Sequence, residues 1–340
     1  MILRPKPSLS RHAILSSAAS AVPVAKVPTW LRRAIPDVQS HAKKDVEDVA
    51  LAAGAAIAAL DAVVRRKERW AGAWRQRLAL SAAAVTTRQA GRVEDEAALR
   101  DAVLLTRPGD DAGPAGRMLV AWRRLTGMPT EKLLTEVSIG AVLDDLGLAR
   151  EDEAVSDLTE EFRQLGANAG TVATLTGAFR AAERHGFGRA LGAWLADALL
   201  AQRLGWTHAI PLLGTEVVAG IGASRSRGSA TVFSPVAGFE PESDQTKSLL
   251  AAQARAALRA IDLSAELGRR ADKLLTVAPK LRAKAADTVV ERLLSDDAIV
   301  ASEQIAGMSD RGLRRLFDRL LELGAARELS GRPAFRIYGL

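Results

Sequence analysis

From Asp45 onward, apolar residues recur at helical spacing along most of the chain. VEDVALAAGAAIAALDAVVRR predicts a long, Ala-rich helix. WAGAWRQRLALSAAAV predicts a second, with Trp70 and Trp74 at i and i+4 on one face. EDEAALRDAVLLTR opens with acids where a helix dipole favours them, and GRMLVAWRRL carries Trp122. TEKLLTEVSIGAVLDDLGL, DEAVSDLTEEFRQLG, TVATLTGAFRAAERHG and GRALGAWLADALLAQRLG continue the pattern with glycine punctuation. Two or three further helices are predicted between Lys247 and Leu294. The interruptions are a proline-marked start (Pro5, Pro7, Pro23, Pro28, Pro36), the turn PGDDAGPAG, and a Gly/Ser/Pro-rich stretch reaching residue 246.

The pattern changes near the C-terminus. An amphipathic helix, Asp287 to Leu294, precedes a short Ser-capped helix, Ser302 to Ala306. Ser309 then caps a longer helix, SDRGLRRLFDRLLELG, with Gly324 at its end. Its Leu313, Leu316, Phe317, Leu320, Leu321 and Leu323 share one arc, and Arg311, Arg314, Arg315, Asp318, Arg319 and Glu322 the opposite one. AARELSGRPAFRIYGL reads as two β-runs around a Ser-Gly-Arg-Pro turn, in which Phe335 and Ile337 alternate with Arg336 and Tyr338. This order predicts a winged helix-turn-helix, in which one helix enters the major groove and the hairpin rides on the backbone. Arg311, Arg314 and Arg315 are then the base-reading candidates, with Arg332 near the wing tip and Arg336 on its outer face as phosphate contacts. The plainer alternatives are an ordinary solvated helix face and an edge strand charged against aggregation.

The predicted fold class is all-α: a multi-helix domain with a small C-terminal winged helix-turn-helix module. The expected organisation is a basic, irregular arm over 1–43, an Ala-rich helical domain over 44–220, and a loop or linker over 221–246. Connecting helices over 247–284 and the winged module over 285–340 complete it.

Composition narrows the chemistry. Hydrophobic residues are 48% and aromatic residues 4% of the 340, which fits close-packed alanine-rich helices. The net charge of +7 favours polyanionic partners over acidic substrates, though the excess is modest for the length. The absence of cysteine removes disulfides, thiolate metal sites and cysteine nucleophiles, and fits a reducing cytoplasm. The four histidines, His12, His41, His185 and His208, form no metal-binding spacing. Residues 1–33 are basic and acid-free but lack a continuous apolar run, so a basic arm is expected rather than a secretory leader. No apolar run is long enough, free of charge, to suggest a membrane span.

Candidate catalytic features are few. Gly220-Ile-Gly222 lacks the third glycine and the βαβ setting of a dinucleotide site. The acidic group containing Asp95, Asp110 and Asp111 is the remaining candidate for divalent-metal or acid–base chemistry, with Arg100 and Arg107 as phosphate partners. Its plainer reading is a first-turn acid cluster beside a turn. No metal and no cofactor is expected.

The stretches WAGAWRQRLALSAAAV, GRVEDEAALRDAVLLTRPGDDAGPAGRMLVAWRRL and WLADALLAQRLGWTHAIPLL resemble the bacterial domain-of-unknown-function family numbered 1403, from roughly Ala50 to Leu294. The resemblance implies a bacterial, soluble, mostly helical protein and carries over no catalytic residue. LRRLFDRLLELGAARELSGRPAFRIYGL is similar to the winged helix that closes many Fic-type proteins, without their His-Pro-Phe motif. The functional expectation is a cytoplasmic, regulatory protein that binds double-stranded DNA, with the helical region serving ligand sensing or homodimerisation. The alternatives are a helical scaffold that touches only protein and, behind it, a carboxylate-based enzyme.

Overall fold

The computed structural model describes residues 27–35, 45–107, 109–149, 151–168, 170–216, 242–283, 285–330 and 335–340. Among them the chain is mostly α-helical, with one small antiparallel sheet at the C-terminus. The helices are α1 (Thr29–Ala34), α2 (Val46–Val64), α3 (Ala71–Gln89), α4 (Glu96–Leu104), α5 (Gly113–Gly127), α6 (Glu136–Leu146), α7 (Asp152–Asn168), α8 (Thr171–Arg184), α9 (Gly188–Arg203), α10 (Glu242–Val277), α11 (Ala286–Ser295) and α12 (Asp310–Glu322). The strands are β1 (Ile299–Val300), β2 (Arg327–Glu328) and β3 (Ile337–Gly339), in the order β1-β3-β2, both pairings antiparallel.

Small side chains explain how these helices approach. The Ala-rich α2 lies along the long α10 and buries Ala52, Ala53, Ala56 and Leu60, while α10 buries Ala254, Ala257 and Ile261. Gly192 of α9 admits the Phe179 ring of α8; a Cβ there would stand 2.9 Å from it. The large rings fill what the alanines leave open, and four of the indoles find a polar partner as they are buried, whereas Trp70 Nε1 has none among the described residues. The Trp74 indole donates to the Ala260 carbonyl (2.9 Å), Trp122 to Thr86 Oγ1 (2.9 Å), Trp194 to the Ala121 carbonyl (3.0 Å) and Trp206 to Asp61 Oδ1 (2.8 Å).

A carboxyl group organises the end of the helical body. Asp197 of α9 is fully buried and accepts from the backbone N–H groups of Leu212 (2.8 Å), Leu213 (3.1 Å) and Gly214 (3.3 Å), so it caps the 3-10 turn Leu213–Thr215. Burial pushes its pKa up to about 7, against the three N–H donors, which favour the anion. That turn presses Gly214 onto the Trp122 ring, where no side chain fits.

Several elements differ from expectation. The predicted short helix Ser302–Ala306 is absent: Ala301–Ser302 and Ala306–Gly307 are turns around an extended piece. A five-residue helix cannot offset the cost of its own nucleation. Instead Glu303 N–H bonds the Val300 carbonyl, Met308 N–H bonds the Ile305 carbonyl, Ile305 is buried, and Gly307 takes φ +80°. Within the region expected to be irregular, Thr29–Ala34 is helical, held by buried Leu31 and an Arg32–Asp262 ion pair at 2.6 Å. Of the expected linker, residues 221–241 lie outside the described residues, and 242–246 begin α10.

Candidate nucleic-acid interface

Sequence shapes α12 at both ends. Ser309 Oγ accepts from Gly312 N–H at 3.2 Å, capping the start. At the other end Gly324 takes φ +57°, its N–H reaches the Leu321 carbonyl, and Ala325 N–H reaches the Leu320 carbonyl, both at 2.8 Å. This reciprocal pair is a Schellman stop, and it turns the chain directly into β2. Between the caps, Leu313, Leu316, Phe317 and Leu320 are buried, and Leu321 and Leu323 are half-buried. Phe317 stacks on Tyr338 of β3, with ring centroids 4.1 Å apart and planes 11° from parallel.

The opposite face of α12 divides in two. Arg311, Arg314 and Arg315, in the N-terminal half, are exposed and have no carboxylate partner among the described residues. In the C-terminal half the charges are matched: Arg319 pairs with Glu322 at 2.9 Å, and Asp318 pairs with Arg336 at 3.4 Å.

Arg336, expected as a phosphate contact on the outer face of the wing, is engaged within the chain. Its guanidinium also bonds Glu328 at 2.8 Å and lies over the Tyr338 ring, 5.4 Å from the centroid. The hydrogen bond to Glu328 foremost, then the Tyr338 hydroxyl and Asp318, raise its pKa against the opposing effect of burial. The expected alternation fails too: Tyr338 and Ile337 are both buried, because β3 is the middle strand and Tyr338 is claimed by Phe317, while Phe335 is 53% exposed. Arg332 lies outside the described residues.

The module is fixed to the helical body by a charge that the sequence reading missed. Asp297, in the link between α11 and β1, has a side chain with no exposed surface. Its carboxylate accepts from Arg100 Nε of α4 at 2.6 Å and from Arg77 Nε of α3, and the Arg77 guanidinium also reaches the Asp297 carbonyl at 3.3 Å. Burial opposes the charge, yet Arg77 and Arg100 more than offset it and hold the Asp297 carboxyl below the usual carboxylate range. Arg100 is thus a structural partner rather than a phosphate ligand. Close backbone contact accompanies it: a Cβ on Gly72 of α3 would lie 2.5 Å from the Ser295 carbonyl oxygen at the end of α11.

The acidic candidates stand in local roles. Asp95 caps α4 by accepting from Ala98 N–H at 2.9 Å, and Asp111 accepts from Gly113 N–H at 2.9 Å ahead of α5. Asp110 is exposed in the turn between those helices. Among the described residues no group of three His, Asp or Glu side chains is arranged to hold a metal. A depression lined by Thr86, Gln89, Trp122, Phe179, Arg189 and Glu216 has room for about one water molecule, too little for a metabolite.

The chain is thus a mostly helical protein whose C-terminus forms a helix–strand–helix–strand–strand unit. It belongs to the family described as protein of unknown function DUF1403, whose model matches residues 16–340. No curated protein and no solved structure matches it. Among the described residues no helix is long and apolar enough to cross a membrane.

Proposed function

We propose that this protein binds double-stranded DNA through the N-terminal half of α12. The observation that carries the reading is the contrast along one helix face: among the described residues Arg311, Arg314 and Arg315 stand exposed and unmatched, next to Arg319 and Arg336, which are each matched by a carboxylate. Three like charges within five residues repel one another, so the arrangement costs stability unless an anion meets it. The order α11, β1, α12, β2, β3 and the sheet order β1-β3-β2 fit a winged helix in which the first helix of the helix-turn-helix is reduced to turns. In such modules the N-terminal residues of the second helix reach base edges. The 13-residue α12 is about 20 Å long, enough to lie in the major groove.

A protein partner is the second reading. What favours it is the pair of acids, Asp318 and Glu328, set around Arg336 at the edge of the same surface. Selection from a random duplex pool separates the two. The intact chain should enrich a defined sequence, and the variant R311A/R314A/R315A should enrich none while melting at a temperature no lower than that of the intact chain. A pool that emerges unenriched with the intact chain rejects the DNA reading.

A further inference from the structure

Helix α2 buries one side and leaves the other bare. Val49, Ala52, Ala53, Ala56 and Leu60 are buried, and α2 lies along α10. On its outer side Glu47, Leu51, Gly54, Ala58, Ala62 and Arg65 are all exposed, Leu51 by 70%. These positions recur every three or four residues, the spacing of a seam between two helices. Between the charged ends the stripe is wholly apolar, and residues 49–60 carry no polar side chain on any face. A solvated helix face carries charge, as α10 does at Arg259, Asp262, Arg269 and Asp272, whereas a helix that is apolar all round is buried.

Gly54 points the same way. A glycine inside a helix costs about 0.5–1 kcal/mol relative to alanine. At Gly72, Gly192 and Gly214 a close neighbour leaves no room for a side chain. At Gly54 nothing described stands within 4 Å of where a Cβ would lie, so the close approach that calls for glycine comes from outside the described fold.

The stripe is complementary to itself when reversed. With two copies of α2 antiparallel about a two-fold axis between Gly54 and Ala58, Glu47 of one copy meets Arg65 of the other. Leu51 then meets Ala62, and Gly54 meets Ala58, so large faces small and the axes can close to about 8 Å. A parallel pair would set Glu47 against Glu47 and Arg65 against Arg65. Glu47 has no cation partner among the described residues. Arg65 is held in place by Asp61 and by the Leu204 carbonyl, both at 2.8 Å, with its side chain 57% exposed. Helix α1, which lies against α2, adds Trp30, 56% exposed, and large rings of this kind are enriched at protein interfaces.

We propose that α2 is the contact surface of an isologous homodimer, in which the stripes from Glu47 to Arg65 of two chains pack antiparallel. The inference stands apart from the DNA reading of α12. A second copy of this chain is favoured over a different protein because both halves of the charge match lie on the one helix.

Sedimentation of the full chain at micromolar concentration reads the stoichiometry. The variant A58E adds a carboxylate beside the two-fold axis, twice per dimer, at an exposed position. The intact chain should sediment as a dimer. A58E should raise the dissociation constant at least about a hundredfold, with its helix content by circular dichroism unchanged. Because the chain contains no cysteine, crosslinking reads the register: oxidised L51C/A62C should become a covalent dimer, and L51C alone should not. Should A58E lose helix content, the crosslinking decides. A monomeric intact chain overturns the proposal and leaves this face to a different partner. A dimer that A58E leaves unweakened overturns it by placing the interface elsewhere, and L51C that crosslinks alone as readily as L51C/A62C overturns the antiparallel arrangement.

Discussion

The helical body and the C-terminal module treat arginine differently. In the body many arginines are taken up by the fold: Arg124 pairs with Asp145, Arg163 with Glu160, Arg184 with Glu161, Arg259 with Glu216, and Arg77 and Arg100 with Asp297, while exposed arginines without a carboxylate partner among the described residues, such as Arg69, Arg88, Arg107 and Arg282, are scattered rather than gathered on one helix face. The C-terminal half of α12 follows the same habit, but its N-terminal half does not. The buried pairs position elements, since an ion pair removed from water contributes little net stability although breaking it is costly. The unmatched arginines pair with no carboxylate among the described residues. The difference teaches where to look for a second molecule: at the charges the fold leaves uncompensated.

The sharpest way to break this comparison is to remove the carboxylate that joins the two regions. Asp297→Ala strands Arg77 and Arg100 in the interior and should cost about 3–5 kcal/mol in chemical denaturation. A loss below 1 kcal/mol would mean that the arginines find water and that the junction is not a buried pair. Because the Asp297 carboxyl titrates below its ordinary range, its contribution is present above the unfolded pKa and is lost as pH falls through the folded one.

Asp197 has the opposite sign. With its folded pKa raised from 3.8 to about 7, its contribution is full below 3.8 and is lost as pH rises through about 7. That shift corresponds to roughly 4 kcal/mol at most. Melting temperatures taken at pH 5 and pH 8 should therefore differ less in Asp197→Asn than in the unaltered chain. Equal differences in the two proteins would show that Asp197 does not titrate in this window.

Gly72→Ala should cost about 1–3 kcal/mol, because the added Cβ meets the Ser295 backbone rather than a side chain that can swing away. A neutral result would show that α3 and α11 separate easily. The smallest effect belongs to Arg336→Ala. Its ion pairs are part-exposed, so the loss of stability should stay below about 1 kcal/mol, and the salt dependence of duplex binding should not change. A slope lowered by about one would return Arg336 to the phosphate contacts.

Local pattern was legible where local forces decide. Ser309, Gly324 and the apolar arc through Phe317 could be read because capping and helical periodicity are set by neighbours in sequence. The same holds for the indoles Trp74, Trp122 and Trp194, whose helical spacing places them inside. Long-range partners left no such mark. Asp297 lies in the unremarkable run SDDAIV, and its partners are 197 and 220 residues away. The two-residue strand β1 is too short to show alternation, so nothing marked β3 as the centre of the sheet, and an edge strand stood as the alternative to a wing. The pairing of Arg336 with Glu328 and Asp318 follows from that register and was equally hidden.

The most direct measurement is duplex affinity against salt for the intact chain and for R311A/R314A/R315A, with thermal melting as the control for folding. We predict a melting temperature no lower than that of the intact chain, loss of discrimination between a selected and a random duplex, and a largely unchanged salt slope in the variant. Equal affinity and equal discrimination in two equally stable proteins would contradict the assignment of α12 as the surface that meets DNA.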